Sequence, residues 1–168
     1  MSVQDVKQYL RQYGKDGDVR ELDTSSATVE LAAGALGVEP ARIAKTLSFK
    51  TPEGCILVVA AGDAKVDNKK FKEAFGLKAK MLSAEEVEPL TGHAVGGVCP
   101  FANPTSVKVY IDVSVRRFES VFPACGSASS AVRMTCGELF ECARAEKWVD
   151  VCKGWQPGRA GGRIKTNE

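Results

Sequence analysis

Residues 55–61, Cys-Ile-Leu-Val-Val-Ala-Ala, run for the length of a strand without a charged or strongly polar side chain. Such a stretch reads as a fully apolar strand. Just upstream, Thr46 to Lys50 alternates polar and apolar residues, and Thr51-Pro52-Glu53-Gly54 supplies turn chemistry between the two. The pattern predicts a β-hairpin.

Around it, helices and strands interleave without a regular βαβ rhythm. Val3, Val6, Tyr9, Leu10 and Tyr13 mark an amphipathic first helix over 2–13, stopped by Gly14. A short strand follows at 19–22. Thr24-Ser25-Ser26 offers hydroxyl caps to a helix through Val29, Leu31, Ala32 and Leu36 that ends at Gly37. A helical turn begins at Glu39-Pro40. Residues 67–75 read as a helix with Phe71 and Phe75 inward, and 78–82 as a short strand. Ser83-Ala84-Glu85-Glu86 is a capping box for a helix to about Thr91. The β-branched run Val107 to Asp112 reads as a central strand, and Ser114 as the cap of a short helix through Val115, Phe118 and Val121. Strands are expected at 122–125 and 131–134 on either side of Gly126-Ser127-Ala128-Ser129-Ser130. A second capping box at Thr135-Cys136-Gly137-Glu138 opens a helix, and 148–152 reads as a last edge strand. The reading is α+β: one domain over 1–153, its mixed, mainly antiparallel and partly barrel-like sheet flanked by helices. A Gly-, Pro- and Arg-rich tail over 154–168 is expected to be mobile.

The 168 residues suffice for one well-filled core. With 23 basic and 21 acidic side chains the net charge is only +2, which excludes a global field of the kind that coats DNA; nucleic acid must be met by a local patch. Six cysteines include no CxxC pair, and His93 is the only histidine, so neither structural zinc nor another metal or cofactor is expected. The first residues lack a basic-then-apolar signal pattern, and the longest aliphatic run is Ile56 to Ala61. These imply a cytoplasmic protein with reduced thiols and no membrane partner.

Five places hold residues that could carry chemistry. Gly96-Gly97-Val98-Cys99-Pro100-Phe101 sets two glycines and a proline in one loop; it is either an ordinary turn or a rigid run of amides able to meet a developing negative oxygen. Lys45, beside Thr46 at the start of a strand, is either a solvated strand-end lysine or a point charge for a phosphate or carboxylate. Cys99 and His93 could form a thiol–imidazole pair, or Cys99 could be a small core residue. Lys65, Lys69, Lys70, Lys72, Lys78 and Lys80 make either a solvated face or a phosphate-facing patch, which Arg116, Arg117 and the tail residues Arg159, Arg163 and Lys165 could extend. Gly126-Ser127 is a further point where bare backbone could approach a ligand, or a plain hairpin turn.

Taken together, Ala32-Ala33-Gly34-Ala35-Leu36-Gly37-Val38, Ile43-Ala44-Lys45-Thr46-Leu47, Gly96 to Phe101, Val109-Tyr110-Ile111-Asp112, Cys125-Gly126-Ser127 and Glu138-Leu139 resemble the YbaK family of aminoacyl-tRNA deacylases, relatives of the editing domain inserted in bacterial prolyl-tRNA synthetases. The resemblance runs from about residue 20 to 150. It implies an enzyme that hydrolyses the ester of a mischarged tRNA, a small amino acid on a proline-type tRNA, acting in trans and without a cofactor. By the same resemblance Lys45 helps hold the acceptor end, and Gly96, Gly97 and Pro100 shape the reaction loop. Gly126 places the attacking group. Thr46, Val98, Cys99, Phe101 and Ser127 then stand as substrate-binding residues, and Lys65, Lys69, Lys70 and Lys72 as tRNA-binding ones. The implied partners are aminoacyl-tRNA and an aminoacyl-tRNA synthetase. Two positions depart from the family pattern: Cys99 stands where serine is common, and Ala102 where glycine is common after the phenylalanine. A non-catalytic tRNA-binding module of the same fold, and a Cys99/His93 thiol hydrolase, are the competing readings.

Overall fold

The computed structural model describes residues 2–156. In chain order the elements are α1 (Val3–Leu10), β1 (Val19–Glu21), α2 (Val29–Leu36), β2 (Ile43–Thr51), β3 (Gly54–Ala61), β4 (Lys65–Val66), α3 (Asn68–Phe75), α4 (Ala84–Thr91), β5 (Lys108–Asp112), β6 (Ser120–Pro123), β7 (Ser130–Val132), β8 (Met134–Thr135), α5 (Cys136–Cys142), β9 (Trp148–Val149) and β10 (Cys152–Lys153). No helix among the described residues is long and apolar enough to cross a membrane.

The predicted hairpin forms, with β2 and β3 antiparallel from Ala44↔Ala61 to Thr51↔Gly54. Its apolar strand lies inside a six-stranded sheet of order β8-β6-β2-β3-β5-β9, curled into a half-barrel. On β3, Leu57 and Val59 face one buried cluster with Val109, Ile111 and Phe101. Ile56, Val58 and Ala60 face a second with Phe49, Phe71 and Val151. Burial on both faces, at about 1.5–3 kcal/mol for a large aliphatic side chain, is why this strand carries no polar alternation. The sheet is mixed: β2–β6, β3–β5 and β5–β9 are parallel, while β2–β3, β6–β8 and the outlying pairs β1–β7 and β4–β10 are antiparallel.

The elements differ from expectation in a few places. The cap of α2 is Thr28, whose Oγ1 accepts from the Leu31 amide at 3.1 Å, rather than the 24–26 hydroxyls. Segment 78–82 makes only one bridge, Met81 to Phe49, because Ser83 starts α4 at once. Asp112, not Ser114, caps the 3₁₀ turn Val113–Arg117, and Val121 belongs to β6. The Ser114 hydroxyl instead accepts from the Ala61 amide at 3.1 Å, where β3 ends. The expected strand over 148–152 splits into β9 and β10, since the Val151 amide turns aside to the Asp112 carboxylate at 2.8 Å. Of the expected tail, Trp155 packs under the Arg117 guanidinium, 5.0 Å from its ring centre. Residues 157–168, with Arg159, Arg163 and Lys165, lie outside the described residues.

Candidate functional site

Between α2, the first half of β2, α4 and the loop before Val98 lies a cavity of about 460 Å³. Its wall is largely aliphatic, with Val29, Ala32, Ile43, Leu82, Val87 and Val98 among its lining. Lys45, Thr46, Gly96 and Val98, residues from two separate stretches of the chain, all border it.

Lys45 reaches it from β2, half-buried. Its ammonium donates to the carbonyls of Gly62, at 3.3 Å, and Ala64, in the turn that follows β3. Two of its three donors are thus engaged, and one remains for a ligand. Burial pulls the ammonium below the ordinary lysine value, with Cys152 and then Asp63 acting the other way. A lysine fixed by carbonyls in this way is a rigid point charge, suited to holding a phosphate or carboxylate.

The two glycine loops meet behind the cavity wall. Gly96 has φ +86° and Gly126 has φ +94°, a region open to glycine at little cost. A side chain on Gly97 would come within 3.0 Å of the Gly126 carbonyl oxygen, and one on Gly126 within 2.7 Å of Val6 on α1. Glycine at both places lets the backbones touch. The amides of the loop are not all bare: that of Gly97 donates to the Ala94 carbonyl at 2.9 Å and closes a turn. Ser127 works within its own loop, its hydroxyl 3.0 Å from that of Ser130.

Other expected site residues stand elsewhere. Pro100 borders a separate, smaller cavity of about 200 Å³ with Tyr9 and Asn103. Cys99 and Phe101 are fully buried in the core beneath the loop. Cys99 and His93 do face each other, with Sγ 3.7 Å from Nε2, but His93 Nε2 donates to the Phe101 carbonyl at 3.0 Å and is no acceptor for the thiol. Burial raises the Cys99 thiol to about 12, against a smaller pull from backbone amides, and lowers the imidazole. Both are neutral, and neither borders the large cavity, so the pair lacks the thiolate a nucleophile needs. Among the described residues no group of three His, Cys, Asp or Glu side chains is placed to hold a metal.

Of the four lysines taken as a tRNA patch, Lys69 and Lys72 share a cleft with Lys78. Lys70 is tied to Asp150 at 3.1 Å and to the Cys152 carbonyl, and Lys65 lies on β4 outside that cleft. Ser26, Met81, Val95, Phe122 and Ala131 also line the large cavity and were not singled out from the sequence. Met81 and Val95 did carry a signal once placed, being two of the three large apolar side chains left exposed among the described residues.

Residues 23–142 match the family model of an aminoacyl-tRNA editing domain. The chain is 52% identical to the uncharacterized protein YwhH of Bacillus subtilis over 93% of its own length and 100% of that protein. It is 29% identical to a proline–tRNA ligase of Exiguobacterium sibiricum over 76% of its length but only 22% of the ligase. A solved structure described as a candidate trans-editing enzyme for prolyl tRNA synthetase superposes with a TM-score of 0.81 at 31% identity, covering 90% of this chain and 97% of that one. With a family match over residues 23–142, most of its length, this chain belongs to the aminoacyl-tRNA editing domains, related to those of prolyl-tRNA synthetases.

Proposed function

We propose that this protein is a trans-acting deacylase that hydrolyses the ester between a small, wrongly attached amino acid and the 3′ end of a tRNA, one of the proline type. The observation that carries this reading is the convergence of Lys45, Thr46, Gly96 and Val98 on a single aliphatic cavity. Such a wall suits a small apolar aminoacyl group. The third donor of Lys45 suits the negatively charged terminal phosphate of the acceptor end.

An aminoacyl ester is already activated, so positioning and amide donors to the tetrahedral oxyanion supply most of what hydrolysis needs; one such donor is worth about 3 kcal/mol. In this reading the amides of Gly96 and Val98 offer those donors, and Gly126, packed against Gly97, holds their loop in place. The need for such an enzyme follows from the limits of synthetases, where one methylene discriminates by only about 1–3 kcal/mol. Action in trans is supported by the near-complete overlap with the candidate trans-editing structure.

The test is deacylation of tRNAs charged with alanine, cysteine, serine, threonine and proline, by the wild type and Lys45→Ala together. Selective release of one small amino acid, reduced at least about tenfold in Lys45→Ala with the fold intact by circular dichroism, is expected. Full activity in Lys45→Ala removes that residue's role. The tie of Lys45 to two carbonyls favours a second reading, a tRNA-binding module in which this lysine is structural. Salt-sensitive tRNA binding with no ester loss from any substrate selects it.

A further inference from the structure

The lip of the large cavity is apolar and open. Met81 and Val95 are 53% and 62% exposed, and both line the cavity. The third exposed large apolar residue, Leu31, lies on α2, which supplies Val29 and Ala32 to the same wall. Among the described residues, all three exposed large apolar side chains therefore sit on elements around one opening.

Beside that opening is the lysine cleft. Lys69 and Lys72 stand one turn apart on α3 and share it with Lys78 and Ala79. The three lysines are exposed, and none has a salt-bridge partner among the described residues. Glu73 is the one carboxylate on the exposed turns of α3 itself. The segment that leaves the cleft enters the cavity: Lys78 and Ala79 line the first, Met81 and Leu82 the second. It runs extended beside β2, with the Lys50 amide on the Lys80 carbonyl and the Leu82 amide on the Ser48 carbonyl. Three extended residues span about 10 Å, so cleft and lip lie within reach of the last nucleotides of one strand. On α4, which borders the same opening, Glu85 and Glu88 are exposed carboxylates whose charge turns a polyanion away, while Glu86 is taken up by Lys50.

Resting on the editing reading of the cavity, we infer that the Lys69–Lys72–Lys78 cleft and the Met81–Val95 lip are one continuous track for the single-stranded 3′ end of an RNA. Phosphates lie on the lysines and an unpaired terminal base packs on the lip, so the strand enters from the α3 side and not across α4. Unstacked bases take apolar and aromatic supports, and a short row of unpaired lysines supplies the salt-dependent part of the affinity.

The test uses the whole chain and two uncharged RNA hairpins, one blunt and one with a short single-stranded 3′ end, with binding followed by anisotropy from about 50 to about 200 mM salt. The wild type is expected to prefer the overhang. Changing Lys69, Lys72 and Lys78 together to alanine should weaken overhang binding at least tenfold and flatten its log–log salt slope by about 2, near 0.7 per phosphate lost, with little change for the blunt hairpin. Met81→Ala with Val95→Ala should weaken overhang binding several-fold and leave the slope unchanged. Equal binding of the two hairpins by the wild type, or an unaltered affinity and slope in the triple lysine variant, overturns the track. Failure of the deacylation panel with overhang preference intact would instead remove the editing reading and leave the track standing.

Discussion

Ala102 holds φ at +59°, one of two non-glycine residues in the left-handed region among those described. An L side chain there costs about 1–2 kcal/mol, which gives a physical reason for glycine at this place in the family pattern. Ala102→Gly should raise the melting temperature by roughly 1–4 °C, the relief of strain exceeding the added freedom of the unfolded chain. Gly126→Ala runs the other way: φ +94° and a contact of 2.7 Å with Val6 should cost about 2 kcal/mol or more, seen as a fall of at least roughly 4 °C. Cys99, with its thiol at about 12 and no exposure, should resist alkylation at neutral pH until the protein unfolds. Cys99→Ser should keep deacylation within about threefold, since the side chain does not reach the cavity; a collapse of activity in a folded variant would contradict that placement. Each of these residues was visible in the sequence, as a departure or a loop glycine. The sign of φ, and the side of the loop on which a side chain lies, were not; at Gly126 the space is set by Val6 and Gly97, which arrive from distant parts of the chain.

At α4, the Glu86 carboxylate accepts from the Ser83 amide at 2.9 Å and pairs with Lys50 on β2 at 2.6 Å. The Lys50 contact first, and the Ser83 amide second, hold it down at about 2. A carboxylate depressed in the folded state contributes stability above its unfolded value, near 4.3, and loses it as pH falls toward 2. Glu86→Gln keeps the cap and removes the ion pair. Its urea midpoint should lie below that of the wild type at pH 6, and the two should converge as pH approaches about 2; a constant gap would assign the effect to something other than this charge. Helices of this kind were legible because their signals are local: both capping boxes, at Ser83 and Thr135, formed where the spacing placed them. Strands of two residues were not. Lys65–Val66 has no periodicity of its own and becomes β4 only because Cys152–Lys153 lies alongside. The cavity likewise joins α2, β2, α4 and the glycine loop, so Lys45 and Gly96 could be named from motifs, whereas Met81 and Val95 acquire meaning only from the wall they complete.

Across the whole molecule the pairings are long-range. β1 waits for β7, β4 for β10, and β5 for β9. The segment after α5 is more than an edge: Val151 donates to the buried Asp112 carboxylate, Asp150 holds Lys70, and Trp155 receives Arg117. A chain ended at Ala145 should therefore lose cooperative unfolding altogether, a sigmoidal denaturation curve giving way to a gradual slope. Only the β2–β3 hairpin can form from neighbouring residues, and its apolar strand has a consequence during synthesis. Residues 55–61 leave the ribosome long before Lys108–Asp112, the strand that lies parallel to them. At about 5–20 residues per second the gap lasts roughly 2–10 s, during which the hairpin's open edge is the most adhesive part of the nascent chain. Slower translation between the two strands should thus raise the aggregated fraction without altering the finished protein.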